Sequence, residues 1–237
     1  MNEEQKQYIE QHIDLIEDGS WDEFFKKAPE GTGGVLYEAE IDFMSKMKHV
    51  PSHCFYLSSL TNITIPDGVT SIIHAAFNYS TNLISVTIPD SVIDIGYNAF
   101  YHCSSLKSIT IPDRVTNIHG YAFCECSSLT SVVIGNGVTS IDEYVFCDCT
   151  SLTSIEIPDS VTSIGIYAFH NCNSLKSITL PNSITTINEG AFNDLGSDVV
   201  IKFNGTKEQF KKIYNSEAFK NTYFIVKCLD GSFYKKS

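Results

Sequence analysis

The sequence predicts an α/β repeat protein, a solenoid of short parallel strands that is closed by a cap at each end. Leucine and phenylalanine each recur every 23 residues without insertion, and the other apolar positions keep the same register. A period of this length indicates stacked coils, none of which can bury its apolar side chains alone. The recurring residues are Leu60, Leu83, Leu106, Leu129, Leu152 and Leu175, and Phe77, Phe100, Phe123, Phe146, Phe169 and Phe192.

Each copy begins with an extended segment, LxxIxI, whose alternate side chains point inward. β-Branched residues between them, such as Thr64, favour a strand. Pro66 ends the strand, because proline has no N–H to donate to the ladder. The pair Val69 and Ile72 then predicts a second wall of the coil. Ala-Phe, ending at Phe77, predicts a third wall, with the phenylalanine ring filling the centre of the coil.

The repeat divides the chain into three regions. Residues 47–203 form the solenoid, with a half-coil, six full repeats and a seventh strand. Residues 1–46 form a helical N-terminal cap, and residues 204–237 form a C-terminal cap. Terminal coils need such caps because each leaves one apolar face uncovered.

The N-terminal cap begins with a helix that we expect to end near Asp18. Its apolar stripe is Tyr8, Ile9, Ile13 and Ile16. The aromatic residues Trp21, Phe24 and Phe25 follow, and we expect them to pack on the first coil; the alternative is a partner-binding patch. A second helix is predicted around residues 35–48.

The C-terminal cap combines a short helix with a hairpin. Thr206 and Gln209 are spaced as a capping box. Two extended runs, 223–228 and 232–234, flank a turn at Leu-Asp-Gly. We expect the lysines of this cap to be solvated; the alternative is a basic docking face for an acidic partner or for self-association with another copy. These lysines are Lys207, Lys211, Lys212 and Lys220.

The repeated row resembles the BspA-like subclass of bacterial leucine-rich repeats. Residues 157–175 carry the pattern nearly whole, as IPDSVTSIGIYAFHNCNSL. The resemblance implies a right-handed leucine-rich-repeat solenoid and extends to the closing segment at 203–232. Members of this family are typically surface or secreted proteins used for adhesion and protein binding, so the resemblance implies a similar role here.

Composition excludes several classes of protein. The chain is 43% hydrophobic and 19% charged with a net charge of −12, which indicates a folded acidic protein. Arg114 is the only arginine, so nucleic acid is a poor partner. No apolar run is long enough to span a membrane. The N-terminus is acidic and lacks the pattern of a signal peptide, which predicts a cytoplasmic protein, whereas the family resemblance implies a surface or secreted one.

The cysteines predict a buried ladder. One cysteine per copy falls in the same position, which favours an inward column of small apolar groups: Cys103, Cys126, Cys149 and Cys172. Cys124 and Cys147 add two C-x-C pairs, whose spacing is shorter than that of structural zinc sites. Free core thiols are the favoured interpretation, and no cofactor or metal is expected. A Cys124–Cys147 disulfide and a metal or redox module built from Cys124, Cys126, Cys147 and Cys149 remain alternatives.

The outward positions predict binding rather than catalysis. The period places no histidine beside the strand serines, and no phosphate-binding glycine loop is present. The positions after each phenylalanine vary most in chemistry, and we take them as the candidate binding residues: Tyr101, His102, Glu125, Asp148, His170 and Asn171. The sequence therefore predicts a non-enzymatic module that binds a protein, with cell-surface adhesion or glycan binding as the alternative.

Overall fold

The structure is a computed structural model that describes residues 2–12, 24, 27–30, 32, 47–231 and 233–236. Its strands are short and follow one another in every coil. In chain order they are β1 (His49–Val50), β2 (Asn62–Thr64), β3 (Ser71–Ile72), β4 (Ser85–Thr87), β5 (Asp94–Ile95), β6 (Ser108–Ile111), β7 (Asn117–Ile118), β8 (Ser131–Ile134), β9 (Ser140–Ile141), β10 (Ser154–Glu156), β11 (Ser163–Ile164), β12 (Ser177–Leu180), β13 (Thr186–Ile187), β14 (Val199–Phe203), β15 (Phe224–Cys228) and β16 (Phe233–Lys236).

The even-numbered strands from β2 to β14 form the first wall of a parallel-strand solenoid. Their register advances by one repeat per coil, so that Ile155 pairs with Ile178 and Ile178 with Ile201. Along β6 and β8, exposed and buried residues alternate. The predicted inward and outward columns are therefore confirmed.

The odd-numbered strands from β1 to β13 form the second wall. They pair in parallel as β1-β3-β5-β7 and as β9-β11-β13. Val50, in the predicted half-coil, pairs with Ile72, and Ile72 pairs with Ile95. All three side chains are buried, as the Val-x-x-Ile spacing predicted.

The third wall contains no strand, yet its backbone is bonded from coil to coil. The amides of Tyr121, Phe123 and Glu125 donate to carbonyls of the next coil at 2.8–3.0 Å. The amides of the residues between them donate within their own coil. Tyr121 and Glu125 both have a φ of 60°, in the left-handed region. These two left-handed residues flank the phenylalanine and orient every second N–H group toward the neighbouring coil. The buried backbone groups are thereby hydrogen-bonded.

The centre of the solenoid is a continuous stack of buried phenylalanine rings. Neighbouring ring centroids lie 4.7–5.6 Å apart, which confirms the predicted role of the Ala-Phe position. The rings belong to Phe55, Phe77, Phe100, Phe123, Phe146, Phe169, Phe192 and Phe219. Such stacking adds to the free energy gained by burying the rings.

The N-terminal helix is shorter than predicted. Helix α1 (Glu3–Gln11) starts with a capping box and ends where His12 leaves the helical conformation, at φ −124° and ψ 29°. The predicted end near Asp18 is therefore wrong for this helix. Phe24 is buried in the core, and its carbonyl accepts a hydrogen bond from the Tyr8 hydroxyl at 2.6 Å, which agrees with the expected packing. Ile13, Ile16, Trp21, Phe25 and residues 35–46 lie outside the described residues.

The C-terminal region adds one more coil to the stack. Helix α2 (Lys207–Ile213) has the predicted capping box, and β15 pairs with β16 as the predicted antiparallel hairpin. The sequence did not indicate that β15 also pairs in parallel with β14, with Val226 beside Ile201. Helix α2 and a 3₁₀ turn at Ser216–Phe219 lengthen this coil, so it falls out of the 23-residue register. None of the described helices is long and apolar enough to cross a membrane.

Candidate functional site

The outward side chains of the third wall form a continuous surface, which we call the third-wall surface. It carries two columns of left-handed residues, one on each side of the buried phenylalanines. From Ala75 onward, the first column is Ala75, Asn98, Tyr121, Tyr144, Tyr167 and Gly190, and the second is Tyr79, His102, Glu125, Asp148, Asn171 and Asp194. Their φ values are fixed by the backbone bonds between coils, so the side chains project from a rigid base.

The six predicted binding residues lie on this surface and contact one another or a neighbouring side chain across coils. Glu125 accepts a hydrogen bond from the Tyr101 hydroxyl through one carboxylate oxygen, and its other oxygen lies 2.7 Å from His102 Nδ1. Asn171 Nδ2 donates to Asp148 Oδ1 at 2.5 Å. His170 is half-buried, with Nδ1 at 3.5 Å from Asp194 Oδ2. The structure thus places them in three small groups along the wall instead of in one pocket.

The Glu125 carboxylate controls the ionisation of Tyr101. The Tyr101 phenol donates a hydrogen bond to this carboxylate, which raises the pKa of Tyr101 well above the usual range. Desolvation and the negative charge of Glu125 raise this pKa further. The neutral phenol is the form that can donate this bond. The bond therefore stabilises the fold below the pKa of an unfolded tyrosine, about 10, and this contribution is lost as the pH rises above that value.

We expect Glu125→Gln to lower the pKa of Tyr101, because an amide oxygen is a weaker acceptor than a carboxylate and carries no charge. The measurement is an ultraviolet titration of tyrosinate, in which subtracting the titration of a Tyr101→Phe variant isolates this residue. Asp148→Asn, on the same surface but outside the Tyr101–Glu125 pair, serves as the control and should leave the titration of Tyr101 unchanged. An unaltered Tyr101 titration in Glu125→Gln would contradict the assignment.

A row of stacked tyrosines lies on the same surface, and sequence reasoning missed it. The ring centroids of Tyr121 and Tyr144 are 4.5 Å apart, and those of Tyr144 and Tyr167 are 5.2 Å apart. At one end Tyr97, which is 49% exposed, stacks on His119 at 4.9 Å. The signal was present in the sequence, because tyrosine stands two positions before the phenylalanine in three successive copies.

The third-wall surface is acidic. Segments 97–103, 119–126, 142–149, 165–172 and 188–194 contain no lysine or arginine. His119 lies between two carboxylates, 3.1 Å from Asp94 and 3.9 Å from Asp142. The acids of these segments are Glu125, Asp142, Glu143, Asp148, Glu189 and Asp194.

The outward face of the first wall is a surface of hydroxyls, as the sequence predicted. It is interrupted by Val133, which is 55% exposed, and by Glu156. Between β8 and β10 lies a groove of about 410 Å³. Its polar lining includes Ser131, Asn136, Ser154, Asp159 and Asn204. Only two acids, Glu156 and Asp159, line this groove.

The predicted cysteine ladder is confirmed, but the alternative set of four thiols is not assembled. Cys126 and Cys149 point inward, where their thiols donate to the carbonyls of Phe100 and Phe123 at 3.2 and 3.3 Å. Cys124 and Cys147 are buried in a different column, beside Asp148. A left-handed residue, Glu125 or Asp148, lies between the two members of each C-x-C pair, so their side chains lie in different columns. All eight cysteines are free thiols in the structure.

The lysines of the C-terminal cap are mostly solvated. Lys211, Lys212 and Lys220 are exposed, and Lys211 Nζ lies 2.8 Å from the Glu208 carboxylate one helical turn earlier. Surface pairs of this kind contribute little to stability. Self-association through this face stays a prediction.

Comparisons with known proteins point to one family. A family model described as a BspA type leucine rich repeat region matches residues 48–162 and 139–228, with six copies. A search of curated protein sequences gave no match. Among solved structures, a leucine-rich repeat protein from Eubacterium ventriosum is 26% identical, with a TM-score of 0.59 over 73% of this chain.

A second solved structure, the leucine-rich repeat protein of T. pallidum, is 30% identical, with a TM-score of 0.56 over 68% of this chain and 82% of its own. The chain spans only 45% of the length of the E. ventriosum protein.

Proposed function

Because the chain belongs to the BspA-type leucine-rich repeat family, we propose that it is a non-enzymatic binding module whose third-wall surface contacts a protein. The observation that carries the proposal is the half-buried stack of tyrosines flanked by acids. Tyrosine is enriched where proteins bind one another, since it offers a large apolar ring and a polar hydroxyl at a low cost in conformational entropy.

The charge of this surface favours a basic partner segment. Acids such as Glu143 and Glu189 lie beside the tyrosine stack, and no lysine or arginine of the third-wall segments neutralises them. A lysine or arginine side chain can contact both a carboxylate and the face of a tyrosine ring, through a charge-assisted hydrogen bond and a cation–π contact. We therefore assign the partner as a protein segment that is rich in lysine or arginine.

The six candidate residues extend this surface on the other side of the phenylalanine stack. Glu125 and Asp148 contribute negative charge, and their bonds to Tyr101, His102 and Asn171 hold them in place. Side chains that are already ordered lose little entropy when a partner binds. The rigid backbone of the third wall has the same effect.

The test is selection from a randomised peptide display library on the immobilised, purified protein. We expect peptides enriched in lysine and arginine, with affinity that falls as salt concentration rises. Replacing Tyr121, Tyr144 and Tyr167 together by serine should lower the affinity about 30-fold or more, since a central tyrosine in an interface is worth about 2 kcal/mol.

A matched triple variant on the first wall provides the control. Thr110, Val133 and Thr179 are outward residues of three strands, and their replacement by serine should leave binding unchanged. If the first-wall variant loses binding and the tyrosine variant keeps it, the site lies on the strand face and our assignment is wrong.

Cell-surface adhesion through glycans is the alternative function, and it follows from the family resemblance. A glycan array probed with the same two variants separates it from peptide binding. Labelling of intact cells tests the location, and a protein that is absent from the labelled fraction would contradict the surface proposal.

A further inference from the structure

A column of potential metal ligands runs along the third wall beside the buried phenylalanines. Successive coils place Cys124, Cys147 and His170 at the same position, directly after the phenylalanine. Asp148 follows Cys147 in the left-handed column, with a φ of 57°. The repeat therefore brings two thiols and a carboxylate from neighbouring coils to one point.

The three groups lie close enough to bind a single ion. The sulfur atoms of Cys124 and Cys147 and a carboxylate oxygen of Asp148 are all within 4.8 Å of one another. Among the described residues, this is the only group of three or more such ligands. In a tetrahedral zinc site with Zn–S bonds of about 2.3 Å, two sulfur ligands lie about 3.8 Å apart, so small adjustments of the side chains suffice.

We propose that Cys124, Cys147 and Asp148 form a zinc-binding site, which goes beyond the proposed protein-binding function and shares Asp148 with the third-wall surface. Thiolate and carboxylate are both common zinc ligands, and three protein ligands leave a fourth position for water. Both thiols lose their protons to solvent when the ion binds, so one Zn²⁺ displaces two protons. Asp148 is half-buried, which gives the ion a path from solvent.

The surrounding contacts orient the carboxylate toward the thiols. Asn171 Nδ2 holds Asp148 Oδ1 at 2.5 Å, and the Cys147 thiol donates to Asp148 Oδ2 at 3.1 Å. Zinc would replace the thiol proton in this second contact. Asn171 thus has the role of a partner that fixes a ligand, and such partners are typical of metal sites.

The ladder cysteines differ from this pair in their bonding. Each ladder thiol donates to a phenylalanine carbonyl inside the core, as Cys103 does to Phe77 at 3.2 Å. A backbone carbonyl carries no negative charge, and no ladder thiol belongs to a group of three potential ligands among the described residues. The ladder thiols therefore serve as controls that are buried but lie outside the proposed site.

The test is a titration of the reduced, metal-free protein with Co²⁺, which reports tetrahedral thiolate coordination by its absorption bands, followed by displacement with Zn²⁺. We expect one ion per chain. Cys147→Ser should lower the affinity by at least about 100-fold, and Asn171→Ala by about 10-fold, in the range for partners that orient ligands. Cys103→Ser should bind as the wild type does.

A second measurement uses the wild-type protein and so does not depend on the folding of a variant. Zn²⁺ should slow the alkylation of Cys124 and Cys147, located by peptide mass spectrometry, and leave the rate at Cys103 unchanged. No cobalt–thiolate absorption, full affinity in a folded Cys147→Ser variant, or equal protection of all cysteines would each overturn the proposal.

Discussion

Phe146→Ala is expected to destabilise the protein by about 3–5 kcal/mol. The ring of Phe146 is fully buried and stacks on Phe123 at 5.6 Å and on Phe169 at 5.5 Å. Removal of the ring leaves a cavity between the two coils that flank Phe146. The cavity stays open because the backbone bonds of the third wall hold the coils at a fixed spacing. Chemical denaturation followed by circular dichroism measures the loss.

Tyr144→Ala is the matched control for this change. Tyr144 stacks on aromatic rings in the coils on both sides, as Phe146 does, but it is only half-buried. Less apolar surface returns to water and no closed cavity forms, so we expect a loss of about 1 kcal/mol or less. Equal losses in the two variants would contradict the assignment of the phenylalanine stack as the core of the solenoid.

Phe219→Ala is expected to destabilise the C-terminal end selectively. Its ring closes the stack on Phe192 at 5.1 Å and contacts Phe224 at 4.6 Å, and it is fully buried. Repeat proteins gain stability from each interface between neighbouring coils. When the last interface is weakened, the coils next to it open before the rest of the solenoid does. Native-state hydrogen exchange should show faster exchange in β12, β14 and β15, by a factor that corresponds to about 3 kcal/mol.

The control for this variant is Tyr223→Ala, in the same coil. Tyr223 is 65% exposed, and its replacement should change exchange by less than about 0.5 kcal/mol. Protection in β3 and β5, near the other end, should be unchanged in both variants. A uniform loss of protection along the chain would instead mean that the solenoid unfolds as one unit.

The solenoid could be predicted from sequence because one constraint repeats in every copy. Each coil must bury the same set of side chains, so Leu106, Ile109 and Phe123 are fixed in type and spacing. The final coil was not predicted because α2 replaces the regular turn and makes the coil longer than 23 residues. The pairing of Val226 with Ile201 in this coil therefore does not follow from the repeat spacing. The position at which α1 ends, Gln11, could not be predicted either, because this helix lies outside the repeat.

The surface was harder to predict than the core. Variation of the outward side chains pointed to Tyr101, Glu125 and Asp148, but it gave no sign that these residues bond to neighbours across the coils. Cys124 and Cys126 lie in different columns because Glu125, the residue between them, has a left-handed backbone with a φ of 60°. A glutamate gives no signal of that conformation in the sequence.

The alternating amides of the third wall also bear on how such a chain can evolve. Backbone groups join each coil to the next in this wall whatever the side chains are, and the same pattern recurs from Ala75 to Asn171. A duplicated or deleted copy would therefore meet compatible bonding on both sides, whatever its outward side chains are. Gene duplication could lengthen the surface in steps of about 4.8 Å while each new copy acquires its own specificity.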